Sequence, residues 1–259
     1  MINIVMVRLK SAIGFLQCLI RRGASSRKDL QTIFRDKNVV IVASGPSLDK
    51  TDLKKIKNSL VVFVNHSVEI KDSFDESNFF IWFSADNERV LECEKSSKKV
   101  SLRLITIYKY IGAGLVLNTL SDKDVFLIPK PDWKALFTRF IFNVKIFEDG
   151  EEALLTDPLE TNFITLYPRT GVLTLISISA GLGCRSIDIL GFDATRKSLS
   201  YASGLSPQKK IEGFETKTID KVLRHLREKV EAKGVRILNC SPLTELTAVE
   251  VSKKYSHDE

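Results

Sequence analysis

Val39-Val40-Ile41-Val42-Ala43-Ser44-Gly45-Pro46-Ser47-Leu48 is the stretch from which the fold can be read. Four β-branched residues in succession, closed by an alanine, read as a strand buried on both faces, the signature of a parallel sheet covered by helices. The run ends in a turn where glycine lets the backbone come close to a ligand and proline fixes the direction. Ser47 is then placed to cap a following helix and to leave backbone N–H groups facing an anion. A buried first strand ending this way is how an open α/β sheet builds a nucleotide site. The turn is neither a GxGxxG nor a P-loop, so a plain strand–turn–helix stays open beside the nucleotide reading.

Outward from this stretch, apolar runs recur at 60–64, 79–83, 102–107, 125–128, 186–190 and 235–238. Helical patterns over 170–182 and 218–233 separate some of them, and Gly183 and Gly234 fall where those helices should stop. Repeated alternation of this kind predicts α/β architecture: a single Rossmann-like, doubly wound parallel sheet over about 37–254. The segment 194–217 is long, polar and basic, which marks a lid. The segment 131–168 is aromatic and irregular and is expected over one edge.

Residues 1–28 carry Val5, Leu9, Ala12, Ile13, Leu16, Leu19 and Ile20 at helical spacing, with arginines and lysines between them. This is a basic amphipathic helix, too short and too charged to span a bilayer; it either packs on the domain or docks on an anionic membrane face. Ser25–Asp29 reads as a polar hinge into the main domain. With 259 residues the chain can bury one large core. The formal charge of +7 favours an anionic partner, but no nucleic-acid-binding signature accompanies it, so nucleic acid is excluded as the expected partner. Cys18, Cys93, Cys184 and Cys240 are far apart with no CxxC pair, which points to structural thiols in a reducing compartment and to no zinc site. Asp122-Lys123-Asp124 is formally a DxD metal motif, but it precedes a strand instead of closing one and reads as a turn.

Chemistry in such a sheet gathers at the strand ends. Here these carry Ser44, Gly45, Pro46 and Ser47; Asn65 and His66; Ser84 and Asp86; and Asp193, with Thr170 and Gly171 opening a helix. All are small or hydrogen-bonding residues suited to a polar nucleotide. Two plain readings stand beside this: serine and glycine are ordinary turn formers, and His66 is a local turn residue.

Gly45-Pro46-Ser47-Leu48, Asn65, Arg169-Thr170-Gly171-Val172, Leu190-Gly191-Phe192-Asp193, Tyr201 and Asn239-Cys240-Ser241-Pro242 recur together in one family. In these motifs, spread over 39–245, the chain resembles the bacterial sialyltransferases of glycosyltransferase family 42 and, more loosely, bacterial transferases of 3-deoxy-manno-octulosonic acid (Kdo). The resemblance implies an inverting, metal-independent glycosyltransferase with no cofactor. It would move sialic acid or a related 2-keto sugar acid from a CMP donor to a glycan, such as lipopolysaccharide core or O-antigen, with a CMP-Kdo transferase as the alternative. Carried over, Ser44, Gly45, Pro46 and Ser47 would touch the nucleotide, Asn65 the phosphate or ribose, Ser84 the sugar, and Thr170 and Gly171 the cytidine. Tyr201 would donate to the phosphate and assist the leaving group. The family's lid histidine falls on Phe214 here, so the general base is sought among Glu215, Asp193, Asp86 and His66, with Glu215 first. The expected setting is cytoplasmic, peripheral on the inner membrane, and the sequence leaves room for a homo-oligomer. A magnesium-dependent pterin pyrophosphokinase-like enzyme and a non-catalytic nucleotide-binding module are the rival classes.

Overall fold

A computed structural model describes residues 24–106, 124–127, 170–194, 201–205 and 216–257. Seven strands form one sheet: β1 Asn38–Val42, β2 Leu60–Val64, β3 Phe79–Ser84, β4 Leu102–Thr106, β5 Asp124–Leu127, β6 Ser186–Leu190 and β7 Arg236–Asn239. Their order is β5-β4-β3-β2-β1-β6-β7, and every pairing is parallel. The chain winds outward from β1 to β5, then crosses back to lay β6 on the other side of β1. The order therefore reverses at β1, the position where open α/β sheets bind ligands beyond their strand ends.

The apolar runs of β1, β2 and β3 are continuous because both faces are covered. Val39, Ile41, Val62, Ile81, Phe83, Ile187 and Ile189 belong to one buried cluster. It is closed by α1 (Ala24–Phe34), α4 (Gly171–Gly181) and α5 (Thr216–Ala232). Val40, Val42, Val61, Phe63, Phe80, Trp82 and Leu190 belong to the opposite cluster, with Val68, Phe74, Val90 and Tyr255. That second face is covered by shorter pieces: 3-10 turns Pro46–Lys50, Leu53–Lys55 and Asn65–Ser73, and the short helices α2 (Asn87–Glu92) and α3 (Glu94–Ser97). Helix α4 is buried on every side, its few hydroxyl residues Thr174, Ser177 and Ser179 included, whereas α5 buries only Ile219, Val222, Leu223, Leu226 and Val230.

Two sequence expectations need correction. Ser25–Asp29 is no hinge: it forms the first half of α1, whose Leu30 and Phe34, four apart, are buried on the sheet. A left-handed Asp36 (φ 59°) turns the chain after this helix. Asp124 is no turn residue either, because it opens β5 and its carboxylate meets the buried Arg103 Nε at 3.1 Å. Burial pulls the Arg103 guanidinium down and Asp124 pushes it back up. Near the end of the described chain Tyr255 is buried, and its hydroxyl donates to Asp188 in the middle of β6 at 2.7 Å. Residues 1–23, including most of the basic amphipathic segment, lie outside the described residues, as do 131–168 and most of the lid. No described helix is long and apolar enough to cross a membrane.

Candidate functional site

Where β1 ends, the backbone stays with β6: Ala43 N donates to Leu190 O and Gly45 N to Gly191 O, each at 2.8 Å. This close approach is what requires glycine at 45. Its φ of −74° is ordinary, but a Cβ there would lie 2.4 Å from Asp193 Oδ2 and 2.5 Å from Gly191 O. Ser47 does not cap an α-helix. It sits inside the 3-10 turn, fully buried, with its N–H donating to Asp193 Oδ2 at 2.9 Å and its hydroxyl donating to Asp193 Oδ1. The same hydroxyl oxygen accepts from Leu243 N at 2.9 Å. The anion facing this turn is therefore the chain's own carboxylate. Burial raises the Asp193 carboxyl above its ordinary value, and the two Ser47 hydrogen bonds oppose that rise.

The loop after β7 completes this brace. Ser241 Oγ accepts from Phe192 N at 2.9 Å, and Asn239 Oδ1 accepts from Ser241 N at 3.1 Å. Glu245 N donates to the Asp193 carbonyl at 3.1 Å. Thus the Asn239-Cys240-Ser241-Pro242 motif holds Gly191-Phe192-Asp193 against the Gly45 turn.

A second group gathers one and two strands away. Asn65 follows β2 in the left-handed region (φ 53°), which asparagine tolerates better than most side chains. Its carbonyl accepts from Trp82 Nε1 at 2.8 Å, and Ser84 Oγ lies 3.0 Å from its Oδ1. Ser84 Oγ in turn accepts from Asp86 N at 3.1 Å, while Asp86 Oδ1 caps α2 by accepting from Glu88 N at 3.0 Å. Thr170 caps α4, its Oγ1 accepting from Val172 N at 3.2 Å. A Cβ on Gly171 would stand 2.9 Å from the Phe83 ring and 3.1 Å from Val64. Since Val64 precedes Asn65 and Phe83 precedes Ser84, the α4 N-terminus sits over the ends of β2 and β3. The structure thus brings Asn65, Ser84, Thr170 and Gly171 together, with Ser44 and Gly45 on the neighbouring strand end. An amide, two hydroxyls and a helix N-terminus suit a phosphorylated, polar ligand.

The described part of the lid meets the same edge. Ala202 N donates to Ser44 O at 3.0 Å, which holds the half-exposed Tyr201 beside the first turn. Asp49 accepts from Ser203 N at 2.9 Å and from Ser203 Oγ at 2.7 Å. At the lid's base Thr216 Oγ1 donates to the carbonyl of Ala194, itself left-handed at φ 49°. Asp49 was missed in the sequence, where a lone aspartate in a turn carries no signal.

His66 points elsewhere. Its Nδ1 lies 2.9 Å from Glu69 Oε1 and its Nε2 2.9 Å from Glu92 Oε2, so both ring nitrogens face carboxylates. Glu215 and Phe214 lie outside the described residues. Cys93, Cys184 and Cys240 are buried free thiols, each pushed up to about 12, chiefly by burial.

No protein-family profile matches the chain, and no curated protein matches it. Among solved structures it is similar to the monofunctional alpha-2,3-sialyltransferase Cst-I from Campylobacter jejuni. The TM-score is 0.53 at 12% identity, over 86% of this chain and 82% of that one. A second similar structure is the sialyltransferase CstII of the same organism in complex with cytidine-5'-monophosphate, at TM-score 0.47 and 12% identity, covering 87% and 88% of the two chains. At such identities the likeness is one of fold.

Proposed function

We propose that the chain is a sialyltransferase-like glycosyltransferase. It would move sialic acid or a related 2-keto sugar acid from a CMP donor to a hydroxyl of a glycan, with inversion. The observation that carries this reading is the agreement of two separate lines. The motifs that resemble glycosyltransferase family 42 are scattered over 39–245. In the fold, those among the described residues collect at the strand ends around the reversal point, in an architecture similar to an alpha-2,3-sialyltransferase.

In this reading Ser44 and Asn65 hold the nucleotide beside the Gly45 turn, Ser84 lies toward the sugar, and Thr170 and Gly171 face the cytidine. A CMP donor leaves as a monophosphate, so hydrogen-bond donors can absorb the growing charge without a divalent ion bridging two phosphates. Tyr201, pinned through Ala202 to Ser44, supplies such a donor. Asp193 we assign to positioning, because Ser47 engages both of its oxygens. With both His66 nitrogens engaged and Asp86 Oδ1 capping α2, we assign to Glu215 the role of the base that accepts the acceptor's proton. The charge of +7 and the basic segment 1–28 support a glycolipid acceptor, such as lipopolysaccharide, at the cytoplasmic membrane face.

The test is thermal stabilisation by CMP, CDP, UDP, GDP and ATP, each with and without magnesium, followed by transfer assays with CMP-sialic acid and CMP-Kdo. A ligand that binds only the folded chain at a hundred times its Kd stabilises it by about 2.7 kcal/mol. Stabilisation by CMP without magnesium is expected. Tyr201→Phe should then lower kcat by about 100-fold, the usual loss for one donor to a developing oxyanion. Silence with CMP and a magnesium-dependent response to a diphosphate or triphosphate would overturn the proposal.

A further inference from the structure

His66, Glu69 and Cys93 bring one nitrogen, one carboxylate oxygen and one sulfur within 4.8 Å of one another. From this cluster we infer a zinc site that clips the 3-10 turn after β2 to the junction of α2 and α3. Three observations support it. The donor set is mixed N, O and S, which suits zinc, and the harder magnesium and calcium ions take oxygen alone. His66 presents Nδ1 to the cluster while its Nε2 faces Glu92 Oε2 at 2.9 Å. A carboxylate behind the second ring nitrogen is the usual support of a metal-bound histidine, fixing its tautomer and orientation. Charge also closes: Glu69, Glu92 and a Cys93 thiolate carry three negative charges and Arg89, bonded to Glu92, one positive, leaving two for zinc to neutralise.

The cluster lies just under the surface, with His66 and Cys93 buried and Glu92 reaching solvent. A tetrahedral ion with bonds of about 2.0–2.3 Å holds its ligand atoms roughly 3.3–3.6 Å apart, so closure requires a movement of about an ångström. Cys93 can supply it, standing between two short helices of six and four residues. Three protein ligands leave a fourth position for water. The spacing 66, 69, 93 matches no zinc-finger pattern, which is why the sequence reading expected none. The ion is a structural clip: it steadies the turn bearing Asn65, and its ligands are none of the residues assigned to the nucleotide.

The experiment is a cobalt titration of the full, reduced, chelator-stripped chain, which needs no transfer activity and so succeeds or fails independently of the proposed reaction. One equivalent of Co²⁺ should give a near-ultraviolet thiolate-to-cobalt band and the intense visible absorption of a tetrahedral site, both displaced by Zn²⁺. Cys93→Ser should erase the near-ultraviolet band, with Cys18→Ser and Cys240→Ala leaving it in place. Glu92→Gln, which touches only the supporting carboxylate, should weaken zinc binding by about 10- to 100-fold. Far-ultraviolet circular dichroism checks that each variant is folded. Should Cys93→Ser unfold, Glu69→Gln takes its place and should also lose the tetrahedral spectrum. No band at one equivalent, or an unchanged spectrum in a folded Cys93→Ser or Glu69→Gln chain, overturns the inference and leaves His66 as a ring bridging two carboxylates.

Discussion

Ser47→Ala removes a single hydroxyl group, and the structure indicates how much that should cost. Ser47 is fully buried, so no water replaces the lost oxygen. Two partners are orphaned: Asp193 Oδ1 loses its donor, and Leu243 N–H loses an acceptor 2.9 Å away. The bond from Ser47 N to Asp193 Oδ2 survives, because it belongs to the backbone. The buried Asp193 oxygen left unsatisfied costs about 1–3 kcal/mol, and the Leu243 N–H, on an exposed residue, about 1 at most, so the variant should lose about 1–4 kcal/mol. At roughly 2–4 °C per kcal/mol in a chain of this size, Tm should fall by about 2–16 °C. Urea unfolding at pH 7 measures this directly, read as a lower midpoint at unchanged m. The double variant with Asp193→Asn tests the assignment of cause: the two losses should be non-additive by about 0.5–3 kcal/mol, since they share one contact. A loss below about 0.5 kcal/mol, the scale of an ordinary surface change, would refute the view that this serine braces the first turn instead of serving a ligand.

Gly45→Ala should cost about 2–4 kcal/mol, because the added Cβ collides with backbone at Gly191 and with a tethered carboxylate. Gly183→Ala, where a Cβ meets nothing but φ is 80°, should cost only the left-handed strain of about 1–2 kcal/mol; parallel urea melts with Gly183→Ala the more damaging would contradict this. Asp193 gives a pH dependence. Its folded value is raised, so the folded chain holds that proton more tightly, and its contribution to stability falls as pH rises from the unfolded value near 3.9 through the folded one. The stability of wild type relative to Asp193→Asn should therefore decline across that window and level off above it; a rise with pH would show that the Ser47 bonds outweigh burial. Asn65→Gly keeps the left-handed backbone and deletes the amide, so Tm should shift by less than about 1 kcal/mol equivalent while CMP affinity drops about 10-fold or more. Calorimetric titration would expose the opposite pattern, an unstable chain that binds normally.

Strand periodicity carried most of the fold. Val39–Val42 and Leu60–Val64 were readable because a strand buried on both faces leaves an unbroken apolar run with abrupt ends. Gly183 and Gly234 marked the helix stops, and both have positive φ. The pieces that escaped are those whose conformation is set by tertiary contact. Ser25–Asp29 looked like a hinge because its own residues are polar, yet Leu30 and Phe34 extend the helix backward by anchoring it. Connections after β1 and β2 are 3-10 turns, which leave no periodic trace.

The site shows the same division more sharply. Which residues stand at strand ends follows from where the apolar runs stop, and that much is local. What each side chain does there depends on what the crossover brings beside it. Ser47 reads as a helix cap facing a ligand until β6 delivers Asp193, 146 residues later, to take its N–H and hydroxyl. His66 reads as a site residue until α2 sets Glu92 behind its ring. In one case the partner stands three residues past the end of the neighbouring strand β6, in the other it closes helix α2, and sequence spacing alone does not pair them. A serine or histidine closing a strand in such a sheet can serve a ligand only if no carboxylate from a neighbouring element has already claimed it. Asn65 meets that condition. Its carbonyl and Oδ1 are held by Trp82 and Ser84, and its amide nitrogen takes no partner among the described residues. This is why Asn65, and not Ser47 or His66, is the side chain on which nucleotide binding should chiefly depend.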